Sequence, residues 1–458
     1  MKDIKVLFFI FIIFQGVFYL LLVPPWQSPD ETHHFGCGAL LSKNAKLGSK
    51  NHKIVSKEIV ESMANFHAWQ YQNIPRPEPM PQTLSELPYY QGIESVSGRE
   101  PLYYGINSFI LKVFNLKKNI DQFYLIRFLS LLYFIVTVYF LYLSSKLVFK
   151  DNISYVFATV CFVALLPQFL IITTSVNPVN LAVVLGAAFL YVILYSLFKG
   201  KKLIALLLGP IIIGLAFFNH RVALFMIPPF VVLLLIYFVR SLKSKREMIK
   251  IFVITLIVLL IFIFLFFTAQ YFFPDQFKRV VSISGLKPRI YEINEFGKYI
   301  SPGTSRSLTS FLDGSFKTFW FFAGWLRFGY HLDIYSVLKL ICFLSVFGLF
   351  KYLYLYFSRR KYSMDVDFSS FLILIAAGLP IIFGAIIRYY PTSIVAQGRY
   401  VYPAISALAI LFILGLKEIA PKRLEKWVPI FIIGGFMALN IYTIFHSMFR
   451  VFYYFTNA

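Results

Sequence analysis

The chain has 458 residues, of which 59% are hydrophobic and 19% aromatic while only 14% are charged, and its mean hydropathy is +0.71. A soluble domain of this length cannot hide so much apolar surface, so most of the chain has a bilayer for its solvent. The net charge of +23 does not mark a nucleic-acid binder, because the basic residues sit in short clusters between apolar runs, the arrangement that orients a membrane protein.

Crossing the hydrocarbon takes roughly 20 apolar residues. On that ruler the sequence predicts about eleven spans, an all-α polytopic bundle in a single integral-membrane domain over residues 1–458. They run Lys5–Val23, Phe123–Ser145, Ile153–Thr174, Asn180–Phe198, Leu203–Phe218, Val222–Tyr237, Ile251–Phe273, Tyr335–Phe357, Phe368–Ile387, Val401–Leu416 and Val428–Met448. The first is longer than a signal-peptide core and is followed by Pro24-Pro25-Trp26, a poor cleavage site, so it reads as a retained anchor. The fifth and sixth form a short hairpin interrupted at Asn219-His220-Arg221; a re-entrant pair there leaves the remaining topology unchanged. Cys37, Cys161 and Cys342 are far apart, which argues against a disulfide framework or a thiolate metal site.

Alternate connections carry the basic clusters: Lys2 and Lys5; Lys146 and Lys150; Lys199, Lys201 and Lys202; Arg240, Lys243, Lys245, Arg246 and Lys250; Arg359, Arg360 and Lys361; Lys417, Lys422, Arg423 and Lys426. All six fall on one side if the N-terminus is cytoplasmic, which puts the C-terminus outside. Two long connections, 24–122 and 274–333, then face outward, and connections of that length carry structure or function. In the first, Ile54–Met63 reads as a surface helix and Pro75–Pro81 as an extended proline-dense strap. Gly105–Phe114 is too short to span and reads as an amphipathic helix lying on the membrane.

Chemistry-bearing residues concentrate at two places. Directly after the first span comes Pro24-Pro25-Trp26-Gln27-Ser28-Pro29-Asp30-Glu31-Thr32-His33-His34-Phe35, with four ionisable groups in five residues at a membrane boundary. In a helix starting near Pro29, Asp30, His33 and His34 share a face and Glu31 points elsewhere. Such a cluster can act as acid and base, orient a phosphate, or bind a divalent cation through Asp30, Glu31 and His34; Asp30 can also simply cap the helix. The second place is Gln397-Gly398-Arg399-Tyr400 with Pro403, just after Arg388, Tyr389 and Tyr390. Arg399 at a helix entrance can hold a phosphate, or belong to an interfacial Arg and Tyr belt. Asn177 and Asn180 read as caps and turns, and Phe319–Trp325 as an interfacial aromatic belt or re-entrant segment, with a sugar-stacking platform as the sharper alternative.

Pro24-Pro25, Ser28-Pro29-Asp30-Glu31 and His34-Phe35, then Arg99 and Pro101-Leu102-Tyr103-Tyr104, then Gln397-Gly398-Arg399-Tyr400 with Pro403, resemble the signatures of a bacterial family of multi-spanning membrane proteins of unassigned function, similar in architecture to the GT-C glycosyltransferases. The resemblance implies a catalytic carboxylate in the first outer loop, at Asp30 or Glu31, without choosing between them. It implies a donor sugar on a polyprenyl phosphate at the outer face of a bacterial cytoplasmic membrane. Arg399, Arg388 and Arg99 are then the expected phosphate ligands. His33, His34, Tyr103, Tyr104, Gln397 and Tyr400 are expected to contact substrate. The expected reaction is inverting transfer to a cell-surface glycan or lipid-linked acceptor, among membrane lipids and with no nucleic-acid partner. The motifs name no cofactor, and the acidic cluster leaves a divalent cation open. A polysaccharide polymerase or ligase, a lipid-linked glycan transporter and a non-enzymatic scaffold are the competing readings.

Overall fold

The structure, a computed structural model, describes residues 2–45, 49–69, 76–86, 93, 100–150, 152–242, 308–323, 328–358, 366–389 and 397–454, with side chains for all of these except 2–4, 221–223, 366, 388, 389 and 454. The expected span 251–273, Arg99 and most of the second long connection lie outside the described residues.

Nine helical stretches among the described residues are long and apolar enough to cross a membrane, and a bent pair makes a tenth. They coincide with the ten expected spans that fall on described residues. The chain is a multi-pass helical bundle. In chain order its helices are α1 (Lys2–Leu22), α2 (Glu31–Ser42), α3 (Lys50–Asn65), α4 (Pro101–Phe114), α5 (Asn119–Phe149), α6 (Ile153–Ala164), α7 (Pro167–Thr173), α8 (Val179–Lys199), α9 (Lys202–Asn219), α10 (Ile227–Ser241), α11 (Leu308–Trp320), α12 (Leu332–Ser358), α13 (Val366–Tyr389), α14 (Ile405–Ile419) and α15 (Val428–Tyr442).

The third span is broken. α6 and α7 meet at 63°, where Pro167 has no amide hydrogen to continue the helical ladder. Asn440 of α15 repairs the break: its Nδ2 donates to the Leu165 carbonyl at 3.0 Å and to the Tyr19 hydroxyl at 3.1 Å. α9 and α10 are joined by a 3-10 turn, Arg221–Met226, and the stretches Lys202–Asn219 and Leu224–Ser241 are each long enough to cross. α12 and α14 pack backbone to backbone, because a side chain at Gly348 or Gly415 would run into the carbonyl of Gly415 or Ser345.

The first long connection folds as a helical cap with its own core of Trp26, Phe35, Ile59, Met63, Trp69 and Tyr103, distinct from the larger core within the bundle. Ser49 caps α3 by accepting from the His52 amide at 3.3 Å. Pro101 opens α4 at a position that needs no amide hydrogen. That helix buries Tyr103, Tyr104, Asn107 and Leu111 and exposes Phe109, Val113 and Phe114, the one-sided pattern of a helix resting on an apolar medium. Residues 76–83 form no helix, as the prolines require.

Of the described residues in the aromatic run, Trp320 does not sit as an interfacial belt would place it. Trp320 is 1% exposed and stacks on Phe436 with centroids 6.0 Å apart. Beyond it β1 (Phe322–Ala323) pairs antiparallel with β2 (Phe328–Gly329). The run turns inward because it ends a helix, α11, whose buried face packs under the residue 397–404 segment.

Candidate active site

α1 delivers the chain to Pro24 at one end of the bundle, and two left-handed residues, Trp26 (φ 69) and Asp30 (φ 66), turn it into α2. Aspartate tolerates that conformation better than most side chains. Trp26 is anchored through its indole N–H to Ser62 Oγ at 3.0 Å. Ser28 Oγ donates to the Ile171 carbonyl, and Asn177 Nδ2 to the Pro29 carbonyl, both at 3.5 Å, so the turn between α7 and α8 supports the acidic motif. Asn177 Oδ1 also accepts from the Val179 amide, and Asn180 Nδ2 donates to the Ser175 carbonyl; both act as the caps and turns expected of them.

The two adjacent carboxylates are treated differently. Glu31 does not point to open space. Its Oε1 accepts from Arg127 Nε and the Val176 amide, both at 3.0 Å, and its Oε2 from Arg127 Nη2 at 2.8 Å and the Ser28 amide at 3.3 Å. The Arg127 and Glu31 side chains are 1% and 0% exposed. Arg127 spends its remaining donors on the carbonyls of Leu20 and Val23 through Nη1 and of Pro24 through Nη2. These are carbonyls at the end of α1, which lack helical partners and favour a cation. Glu31 and Arg127 thus join α1, α2, α5 and the α7–α8 turn.

Asp30 stands at the N-terminus of α2 but makes no capping hydrogen bond through its side chain. Its Oδ2 accepts from Arg399 Nη2 at 2.6 Å, and its Oδ1 lies 3.5 Å from His33 Nε2. The Asp30 side chain is 39% exposed and that of Arg399 9%. Partial burial pushes the Asp30 carboxyl up, but the Arg399 guanidinium and His33 outweigh it and hold the group well below the usual carboxylate range. Arg399 is delivered by the 3-10 segment Gly398–Ala404 that leads into α14. Gly398 N donates to Thr318 Oγ1 at 2.7 Å, and Tyr402 Oη to the Phe319 carbonyl at 2.8 Å, fixing the segment on α11. Nε and Nη1 of Arg399 are buried and make no hydrogen bond among the described residues.

His34 Nδ1 is 2.8 Å from the Tyr104 hydroxyl, which donates to Glu100 Oε2 at 2.8 Å. Tyr103 is buried with its hydroxyl unpartnered among the described residues. Tyr400 lies beside the Arg399 guanidinium, 5.9 Å from ring centroid to Cζ, and Gln397 caps the 3-10 segment with its backbone. Arg388 is in the last turn of α13 with no side chain described, and Arg99 lies outside the described residues. Among the described residues no three His, Cys, Asp or Glu side chains form a metal-binding group. The set expected for a cation does not assemble, because both Glu31 oxygens are committed to Arg127 and backbone amides.

The arrangement couples a half-exposed carboxylate to a buried guanidinium with two unused donor atoms. It can take a proton and hold an anion a few ångströms apart. Arg127 was not singled out from the sequence, although an arginine inside an apolar span was its signal.

Residues 101–267 match the sequence profile of a family described as dolichyl-phosphate-mannose-protein mannosyltransferase. The match covers Tyr103, Tyr104 and Arg127 and leaves out Asp30 and Arg399. No curated protein sequence matches the chain. A solved structure of the archaeal oligosaccharyltransferase AglB from Archaeoglobus fulgidus, in complex with an inhibitory peptide and a dolichol-phosphate, superposes with a TM-score of 0.47 at 12% identity over 98% of this chain. The chain spans 55% of the length of that protein.

Proposed function

We propose that the chain is an integral-membrane, inverting glycosyltransferase that moves a sugar from a polyprenyl-phosphate donor to a cell-surface glycan or lipid-linked acceptor. The observation that carries the reading is the Asp30–Arg399 pair, in which Nη2 holds the carboxylate while Nε and Nη1 make no hydrogen bond among the described residues and are available to a ligand. The partial match to a family named for a lipid-phosphate sugar donor supports the reading. The six basic clusters favour a cytoplasmic N-terminus and an external C-terminus, which sets the site at the outer face of a bacterial cytoplasmic membrane.

In the proposed step the acceptor hydroxyl oxygen attacks the anomeric carbon while the bond from that carbon to the phosphate oxygen breaks. The hydroxyl proton passes to Asp30, and the polyprenyl phosphate departs with the bonding pair onto Arg399. An arginine-bound carboxylate is a weak base. A phosphate on either open donor, Nε or Nη1, shares the positive charge, loosens its hold on Asp30 and strengthens the base when donor is present. Glu31 takes no part, since all its acceptor positions are used.

The test compares cells lacking the gene with cells restored by the wild-type or Asp30→Asn protein. Loss of a positioned base costs about 10²–10⁴-fold in rate, so deletion and Asp30→Asn should both accumulate one polyprenyl-monophosphate sugar and lose one glycan residue. Full restoration of the glycan by normally inserted Asp30→Asn overturns the mechanism. Accumulation of an oligosaccharide on a diphosphate carrier instead points to a polymerase or ligase.

A further inference from the structure

His34 has a use that its neighbours define. Its ring is 7% exposed, and its single side-chain hydrogen bond joins Nδ1 to the Tyr104 hydroxyl at 2.8 Å. A tyrosine hydroxyl has one proton, and Tyr104 gives it to Glu100 Oε2. Glu100 sits just ahead of α4, where the helix end favours a carboxylate that only accepts. Tyr104 therefore accepts from His34, the imidazole proton is on Nδ1, and the lone pair is on Nε2. Burial keeps the ring uncharged, pushing its pKa down to about 3. Nε2 makes no hydrogen bond among the described residues. Unlike the Tyr103 hydroxyl, Nε2 is not sealed inside the protein, so a donor from outside can reach its lone pair. The ring lies within electrostatic reach of Asp30, His33, Arg399 and His220, the groups around the proposed reaction centre.

We propose that His34 Nε2 accepts a hydrogen bond from a substrate hydroxyl other than the attacking one, in a tautomer fixed by Tyr104 and Glu100. The inference rests on the glycosyltransferase reading above. The attacking hydroxyl has one proton and Asp30 takes it, so a substrate hydrogen bond to His34 comes from a second hydroxyl nearby. A sugar ring with neighbouring hydroxyls meets both demands, whereas an isolated alcohol meets one. The second hydroxyl belongs either to the transferred sugar or to a glycan acceptor. Tyr104 and Glu100 are positioning residues that act through His34.

The test has two independent arms. The first is the ¹⁵N spectrum of histidine-labelled protein in nanodiscs, assigned with His34→Gln, and needs no substrate. An Nδ1-protonated His34 is expected, losing that fixed form in Tyr104→Phe; an Nε2-protonated His34 in the wild type overturns the proposal. The second arm is steady-state transfer, with the polyprenyl-monophosphate sugar that accumulates in the deletion strain as donor and membranes of that strain as acceptor. His34→Phe keeps a ring but no acceptor and should raise one KM about three- to tenfold, while His34→Gln restores an acceptor oxygen and should stay within about twofold. A raised donor KM assigns the hydroxyl to the transferred sugar, and a raised acceptor KM to the glycan. A purely structural role reverses the order, with Phe tolerated better than Gln, and that result refutes the inference. Failure of any sugar to accumulate strikes the glycosyltransferase reading and the substrate contact with it, while the tautomer arm still tests the Tyr104–Glu100 positioning of His34.

Discussion

Replacing Arg127 with methionine should separate the roles of the two adjacent carboxylates. Methionine fills much of the volume but donates nothing. Glu31, with its side chain 0% exposed, loses two of its four hydrogen bonds and its countercharge. The carbonyls of Leu20, Val23 and Pro24 lose their donor as well. Removing one partner of a buried ion pair typically costs about 3–5 kcal/mol, a large share of the roughly 5–15 kcal/mol that holds a domain together. Arg127→Met and Glu31→Gln should therefore both lower the yield of folded protein and the midpoint of thermal unfolding in detergent. Adding Glu31→Leu to Arg127→Met should recover part of the loss, because the uncompensated charge goes while the Leu20 and Val23 carbonyls stay without the guanidinium donor. Asp30→Asn removes the countercharge of Arg399 but at a carboxylate 39% exposed, so it should lower the unfolding midpoint by less than Arg127→Met does while abolishing transfer. An Arg127→Met protein within about 1 kcal/mol of wild type would refute the reasoning, since surface ion pairs behave that way and buried ones do not.

Two further outcomes follow from particular contacts. Gly398→Ala would drive a methyl group into the backbone N and Cα of Phe319. Overpacking of that kind costs about 1–3 kcal/mol and must move Arg399, so both the unfolding midpoint and transfer should fall. Gly434, with nothing near its added Cβ, is the control, and alanine there should be neutral or stabilising by up to about 1 kcal/mol. The third outcome concerns acid. Burial lowers the His34 pKa to about 3, so between that value and the unfolded histidine range the unfolded chain binds a proton that the folded chain does not. Stability should fall as pH drops from about 6.5 toward 3, by at most about 1.4 kcal/mol per unit from this group. The Asp30 carboxyl is depressed, so its contribution is present above the unfolded carboxylate range and is lost only at still lower pH. Unfolding midpoints of wild type and His34→Gln across pH 7 to 4 check the histidine component, which should disappear in the variant.

The spans were legible because a bilayer demands long apolar runs and the chain contains little else. Even the hairpin interrupted at Asn219-His220-Arg221 fell where the polar residues suggested. The break at Pro167 was not anticipated, since hydropathy reads straight through a proline whose freed carbonyl is served by Asn440, far along the chain. The acidic motif and the Gln397–Tyr400 motif were both visible as chemistry, but their contact was not. It depends on the packing of α11 under Gly398, which no local spacing encodes. The pairing of Glu31 with Arg127 was hidden for a related reason. Helical spacing predicts that Glu31 turns away from Asp30, but not that a buried cation from another span waits there.

Asp30 and Arg399 stand 369 residues apart in sequence. A ribosome-bound chain exposes the acidic motif after its first span, yet the guanidinium that completes the pair is made only when most of the protein has been synthesised. Any truncation ending before Arg399 keeps the carboxylate and the Glu31–Arg127 lock but has no cation from this segment to offer a phosphate. On the proposed mechanism, transfer therefore begins only once the late segment has docked against the early one.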